Sequence, residues 1–216
     1  MKYAKEFREY FSKKTVFSVR DIKLRFVHKK ISPAYVSVLL NHLMKRKEIH
    51  RVAKGKYSFR SDPNVIAFAI QPSYFGLQDA LSLHGLWQQQ TIPILITSRK
   101  TRSGFRTVLG SKVLVKRIQR SLFFGVEMLK YSDYWVPVSD TEKTLIDFFY
   151  FNQPLEKSVL KKLLKKANWP KMREYLKRIP KKTRKKIEKA LETSKEKAKK
   201  TAFFMSLAEK SFQKGL

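Results

Sequence analysis

Residues 32–59 read SPAYVSVLLNHLMKRKEIHRVAKGKYSF, and the organisation of the chain follows from how this stretch folds. Ser32 is a good N-cap, and Pro33 falls at the first helical position, where its missing N–H is harmless. Val36, Leu39, Leu40 and Leu43 recur at three- and four-residue steps, so one helical face turns inward. Tyr35, Ser37, Asn41, His42 and Lys45 are left on or beside the other face. Ile49–Val52 and Tyr57–Phe59 then read as two short strands around the turn Ala53-Lys54-Gly55-Lys56.

Upstream, Tyr3, Phe7, Tyr10 and Phe11 predict an amphipathic helix over 2–13, and Ser18 predicts the cap of a second helix with Val19, Ile22 and Phe26 inward. His28-Lys29-Lys30-Ile31 breaks that pattern before Ser32. Three helices followed by a basic hairpin is the order of a winged helix-turn-helix. Such a helix reads a major groove when short polar groups on its leading face approach base edges and surrounding cations neutralise phosphates. The DNA-binding residues predicted on this basis are Ser32, Tyr35, Ser37, Asn41, Lys45, Arg51, Lys54 and Lys56. Asn41 is the best base reader among them, because its amide pairs bidentately with adenine. Use of the same module for packing or protein contacts is the competing reading.

Composition points the same way. The 216 residues carry 48 Lys+Arg against 17 Asp+Glu, a formal charge of +31, so the expected partner is a polyanion. Residues 1–60 hold +13, 61–150 only +3, and 151–216 +15, so two basic ends flank a nearly balanced middle. With 43% hydrophobic and 13% aromatic residues the chain has apolar surface enough to fold. Cys 0 excludes disulfides, thiolate metal clusters and a Cys nucleophile. The chain contains no apolar run of bilayer length and its N-terminus has no signal-peptide core, so no membrane partner and a cytoplasmic location are expected.

Beyond the Asp62-Pro63 turn signal, Val65–Ile70 is a short apolar stretch. Pro72–Phe75 reads as leading into a helix that stops at Gly85. Strands are predicted at Pro93–Thr97, Phe105–Leu109, Lys112–Ile118, Phe123–Val126 and Tyr134–Val138, with a hairpin turn at Gly110-Ser111. The segments GKYSF (55–59), PSYFGLQDALSLHGL (72–86), PILIT (93–97), FFGVE (123–127) and VPVSDTEKTLIDFF (136–149) together resemble the abortive-infection AbiEi antitoxin family of type IV toxin-antitoxin systems. The likeness covers roughly residues 15–150. It implies a transcriptional autorepressor that binds inverted repeats at its own promoter and counteracts a nucleotidyltransferase toxin encoded beside it; paired half-sites in such an operator would favour two copies acting together. The family's DNA contacts carry over to positions 32–56. The lysine-packed C-terminal end departs from the family pattern.

No acidic residue interrupts Arg99, Lys100, Arg102, Arg106, Lys112, Lys116, Arg117 and Arg120, which form a candidate auxiliary phosphate-binding set. Strand alternation puts Val113, Val115 and Arg117 opposite Lys112, Leu114 and Lys116, so a shared face competes with a scattered, solvated arrangement. The sharpest catalytic suspicion is Asp140-Thr141-Glu142, since nucleotidyltransferases hold magnesium with such carboxylates. Ser139-Asp140-Thr141-Glu142 also reads as a capping box, and that is the favoured reading. His28, His42, His50 and His84 have no ligand spacing, and His84 is expected to make a helix-terminal hydrogen bond. No phosphate loop, serine elbow or dinucleotide fingerprint occurs. No catalytic residue, metal or cofactor is therefore predicted, with a nuclease or nucleotidyltransferase as the distant alternative and a toxin-free nucleic-acid-binding regulator as the nearer one.

After Asn152-Gln153-Pro154, Leu155, Val159, Leu160, Leu163 and Leu164 form a helical stripe, Trp169-Pro170 breaks it, and Met172, Tyr175, Leu176 and Ile179 form another. Pro180 starts a last helix with Ile187, Leu191 and Ala198 inward, extending toward Phe203, Phe204 and Leu207. Residues 161–200 hold 18 Lys+Arg and 4 Glu, suited to phosphate binding, to toxin contact or to a solvated helix. The predicted class is α+β: a winged helix-turn-helix over 1–61, an α+β antitoxin-like domain over 62–152 and a basic helical appendage over 153–216.

Overall fold

The computed structural model describes residues 2–89, 91–190 and 192, and its architecture is mixed α+β. It divides into two compact units, Met1–Asp140 and the chain from Thr141 on, whereas the sequence predicts breaks after 61 and 152. The difference has a packing origin. Val52, buried, and Val16 and Ala53, partly buried, belong to the first predicted module but pack into the same core as Val65, Phe75, Leu95, Val113 and Val138.

The first unit begins with α1 (Ala4–Phe11), β1 (Phe17–Ser18), α2 (Val19–Arg25), a single 3-10 turn (Val27–Lys29) and α3 (Pro33–Lys45). The hairpin strands β2 (His50–Ala53) and β3 (Lys56–Ser58) follow, in an antiparallel sheet of order β1-β3-β2. Phe7, Phe11, Phe17, Ile22, Phe26, Leu39 and Leu43 close the core of this part at essentially zero exposure. Capping explains where its helices start. The Ser18 hydroxyl accepts the Asp21 N–H at 3.2 Å while the Asp21 carboxylate accepts the Ser18 N–H at 2.7 Å, a reciprocal box. At α3, Ser32 Oγ accepts the Tyr35 N–H at 3.1 Å with Pro33 at the first position, as the sequence predicts. The helix ends where Lys47 takes a left-handed φ of 56° and the Glu48 N–H bonds back to the Leu43 carbonyl at 3.0 Å.

A 3-10 turn (Pro63–Val65) and the short α4 (Ile66–Ala69) lead to β4 (Ser73–Phe75), α5 (Gln78–Leu83), β5 (Ile94–Thr97), β6 (Gly104–Val108), β7 (Ser111–Arg117), β8 (Val126–Tyr131) and β9 (Tyr134–Ser139). The strands form one six-stranded sheet of order β6-β7-β5-β4-β9-β8, with β4–β9 and β5–β7 parallel and the remaining pairs antiparallel. Two predictions are corrected here. Ser73–Phe75, read as leading into a helix, is an interior strand buried at all three positions, so no alternation marks it. The strand expected at Phe123–Val126 begins instead at Val126, because Phe123 to Gly125 follow a 3-10 turn and β8 pairs with β9 only from Val126 onward.

In the second unit α6 (Thr141–Tyr150) is buried over its first eight residues, and α7 (Lys157–Lys166) and α8 (Trp169–Arg178) follow. The Lys143 ammonium pairs with the Asp147 carboxylate one turn along α6, with both side chains almost wholly buried. Trp169-Pro170 ends one helix and opens the next, since the Asn168 side chain caps α8 through the Lys171 N–H at 3.1 Å. Residues 181–190 are helical with Thr183 and Ile187 buried. The predicted inward Leu191, Ala198, Phe203, Phe204 and Leu207 lie outside the described residues.

For Asp21, burial opposes the charge, but hydrogen bonds from the Ser18 hydroxyl and backbone N–H, with Lys14 and Lys56 nearby, hold the carboxyl below its usual range. A depressed folded pKa stabilises at neutral pH and loses that stabilisation as acid titrates the group. Ser18→Ala is therefore expected to cost about 1 kcal/mol in urea unfolding at neutral pH. The gap from wild type should narrow in acid; a pH-independent gap would contradict the box.

Candidate nucleic-acid interface

The inward set Val36, Leu39, Leu40 and Leu43 fixes which side of α3 meets solvent. Its outward stripe runs Ala34, Ser37, Val38, Asn41 and Lys45, all exposed. Asn41 has no hydrogen-bond partner among the described residues, so its amide remains available. Ser37 Oγ donates to the Pro33 carbonyl at 3.2 Å and so leans along its own helix, while keeping its acceptor lone pairs. Ser32 is exposed but its oxygen is engaged as the cap. Tyr35 is turned away from the stripe. Its ring packs edge-on against Tyr3 at 5.9 Å and its hydroxyl accepts the Tyr3 N–H at 3.1 Å, which docks the start of α1.

Sequence reasoning missed Ala34 and Val38. Val38 is 58% exposed in the middle of the stripe. The signal was present: Val38 lies four residues after Ala34 and three before Asn41, off the inward face.

In the hairpin, Arg51 is exposed while its neighbour Val52 turns into the core. Lys54 is exposed at the tip beside Gly55, whose φ of 67° suits glycine, and the Gly55 carbonyl accepts the Val19 N–H at 3.4 Å, tying the tip to the start of α2. Lys56 is half-buried opposite Ser18, and part of its charge is met by Asp21. Arg51, Lys54 and Lys45 are thus the freest cations of the predicted set.

Two acidic residues of this region are held in ion pairs. Glu6 bridges Arg25 at 3.2 Å and Lys29, and Glu48 takes Arg8 Nε at 2.6 Å and Arg46 Nε at 2.8 Å. Hydrogen bonding from Arg8 holds the Glu48 carboxyl below its usual range, against the opposing effect of burial.

The auxiliary set is not gathered onto one plane. Ladder register places Arg106 opposite Val113 and Arg117 opposite Thr97 on the sheet face that carries the core residues Leu95, Val113 and Val115. Lys112 and Lys116 lie on the other face with Phe105 and Leu114. Arg106 donates to Thr101 Oγ1 at 2.6 Å and to the Arg102 carbonyl at 2.9 Å, so it braces the β5–β6 loop. That loop presents Arg99, Lys100 and Arg102 to solvent, and Arg120 is exposed in the 3-10 turn Arg120–Leu122.

The suspected carboxylate pair is engaged elsewhere. α6 opens at Thr141, Ser139 is the last residue of β9, and Glu142 accepts the Asn168 N–H at 2.6 Å while facing Lys171 Nζ at 3.3 Å. His84, at the end of α5, has Nε2 2.7 Å from the Ser139 carbonyl oxygen, which makes that nitrogen the protonated donor. The expected helix-terminal bond is therefore a tie from α5 to β9. Comparison with family models gives no match to this chain, and comparison with curated proteins gives none.

The first unit also contains a cleft of about 600 Å³ lined by Asn64, Asp79, Ser82, Ile92, Lys112 and Tyr131, among others. Burial pushes the Asp79 carboxyl up to about 7, against a hydrogen bond from the Ile94 N–H at 3.3 Å. A raised folded pKa makes the native state bind the proton more tightly, so stability falls as pH rises from about 4 to about 7 and then levels. Asp79→Asn, which keeps an acceptor for Ile94, should remove that decline and melt above wild type at alkaline pH. Equal pH profiles of Tm for the two proteins would refute the assignment.

Proposed function

We propose that the chain is a transcriptional repressor that binds duplex DNA through a winged helix-turn-helix, with α3 in the major groove and the β2–β3 hairpin as the wing on the sugar-phosphate backbone. The observation that carries the reading is the α3 stripe, in which Asn41, without a hydrogen-bond partner among the described residues, follows Ser37 and Val38 and precedes Lys45, while Arg51 and Lys54 are exposed on the hairpin and Glu6 and Glu48 are held in ion pairs. Small side chains let a helix approach base edges, Asn supplies paired donor and acceptor, and exposed cations release counterions from phosphates.

The resemblance of residues 15–150 to AbiEi antitoxins extends the proposal. The repressor acts on inverted repeats at its own promoter in the cytoplasm, two copies together, and its remaining surface counteracts a nucleotidyltransferase toxin encoded alongside. The role is one of binding rather than catalysis and requires no cofactor. Paired half-sites match a two-fold arrangement of two recognition helices. A nucleotidyltransferase-like reading frame beside the gene separates this from a regulator without a toxin.

Footprinting on the region upstream of its own gene should protect two half-sites. Lys54→Glu with Lys56→Glu should weaken binding to any duplex and reduce the slope of log affinity against log salt by about two, since each lysine lost removes roughly one phosphate contact. An unchanged mobility shift would remove the hairpin from the interface. Asn41→Ala should instead cost about 1–3 kcal/mol on the operator alone and relax preference at one base pair. Equal losses on operator and random duplex would exclude base reading by Asn41.

A further inference from the structure

The β6–β7 hairpin, at one edge of the six-stranded sheet, carries an aromatic ring that the fold does not use. Phe105 is 68% exposed, and no other aromatic ring or cation packs on it among the described residues. It stands directly across from Leu114, so Lys112 and Lys116 occupy the two diagonal positions on the same face of β7. Exposed Arg102 lies three residues before Phe105 in the β5–β6 loop. From Ala80 to Val126 the chain has no acidic residue, and Lys112 also lines the cleft that holds Asp79.

An exposed phenyl ring among cations suits a partner that is both planar and anionic. Duplex DNA meets only half of that requirement, because its base faces are already stacked inside the helix. An unpaired base offers its face to a ring, and a flanking phosphate answers the exposed Lys112. We infer that the β6–β7 hairpin is a binding platform for single-stranded nucleic acid, in which Phe105 stacks on an unpaired base while Lys112 engages an adjacent phosphate. The site is separate from α3 and the β2–β3 hairpin and does not depend on their reading a duplex. Trp135, 56% exposed on the same sheet face and directly opposite Lys130, repeats the pairing of ring and lysine.

The test uses the full chain with fluorescently labelled oligodeoxythymidine, oligouridine and a random-sequence duplex, read by anisotropy. Phe105→Ala should weaken binding to the single strands about tenfold, with duplex affinity retained, and Phe105→Trp should restore it. Because the ring lies mostly in solvent, its loss is not expected to perturb folding, and an unchanged Tm checks this. Lys54→Glu with Lys56→Glu should leave single-strand binding intact. A preference for oligouridine or for oligodeoxythymidine identifies RNA or DNA as the source, and either supports the platform. Single-strand affinity unaltered in Phe105→Ala, an equal loss on the duplex, or polyglutamate competing as well as the oligonucleotides would overturn it.

Discussion

Three phenyl rings set the geometry on which the proposed interface depends. Phe7 and Phe11 from α1 and Phe17 from β1 pack in a triangle with centroids 4.8, 4.9 and 5.4 Å apart, and all three are fully buried. Each such burial is worth roughly 1.5–3 kcal/mol and each ring pair about 0.5–1.5 more. Tyr57 on β3 stacks against Phe17 at 6.1 Å, so the same triangle orients the hairpin. Leu39 and Leu43 of α3 join this core, which decides that Ser37, Val38 and Asn41 point out. The outward stripe of α3 and the orientation of the β2–β3 hairpin are thus two consequences of one aromatic cluster.

The charge distribution follows a complementary logic. A chain at +31 repels itself, and the native state must place its few carboxylates where they act most strongly. Residues 1–60 have only Glu6, Glu9, Asp21 and Glu48 as acids, and three of these are used as struts: Glu6 from α1 to Arg25 and Lys29, Glu48 from the end of α3 to Arg8, Asp21 within the α2 cap. Exposed ion pairs of this kind contribute little stability individually. Their larger effect is to neutralise cations at helix junctions, so that the surplus charge is concentrated on α3, the hairpin and their surroundings.

Much of this was legible in the residues. Ser32-Pro33, the period of Val36, Leu39, Leu40 and Leu43, the Ser18 cap and the Gly55 turn are local signals, and the structure realises each where the sequence places it. What failed to read was non-local. β4 is three residues long and gains its ladder from β5 and β9, about twenty and sixty residues away, so its own sequence carries no period. Tyr35 lies beside the outward face on a helical wheel, and Tyr3, just before α1, engages its ring and hydroxyl. The joining of residues 1–61 with the sheet that follows rests on Val52 packing into the core of the sheet, which no composition shift records.

The scattering of the middle cations shows why helices and strands distribute charge differently. A helix returns to the same face every three or four residues, so a handful of outward positions on α3 makes one continuous stripe. A strand alternates, and an unbroken basic run is split between two faces: Arg106 and Arg117 share a face with core residues, Lys112 and Lys116 the opposite one. Counting cations along 99–120 therefore overstates the charge any single ligand can meet on this sheet. What alternation does bring together is Phe105 with Lys112, residues seven apart in sequence that neither composition nor charge counting had joined. Their proximity is a product of ladder register, and a planar anion finds there a ring and an ammonium that the chain order keeps apart.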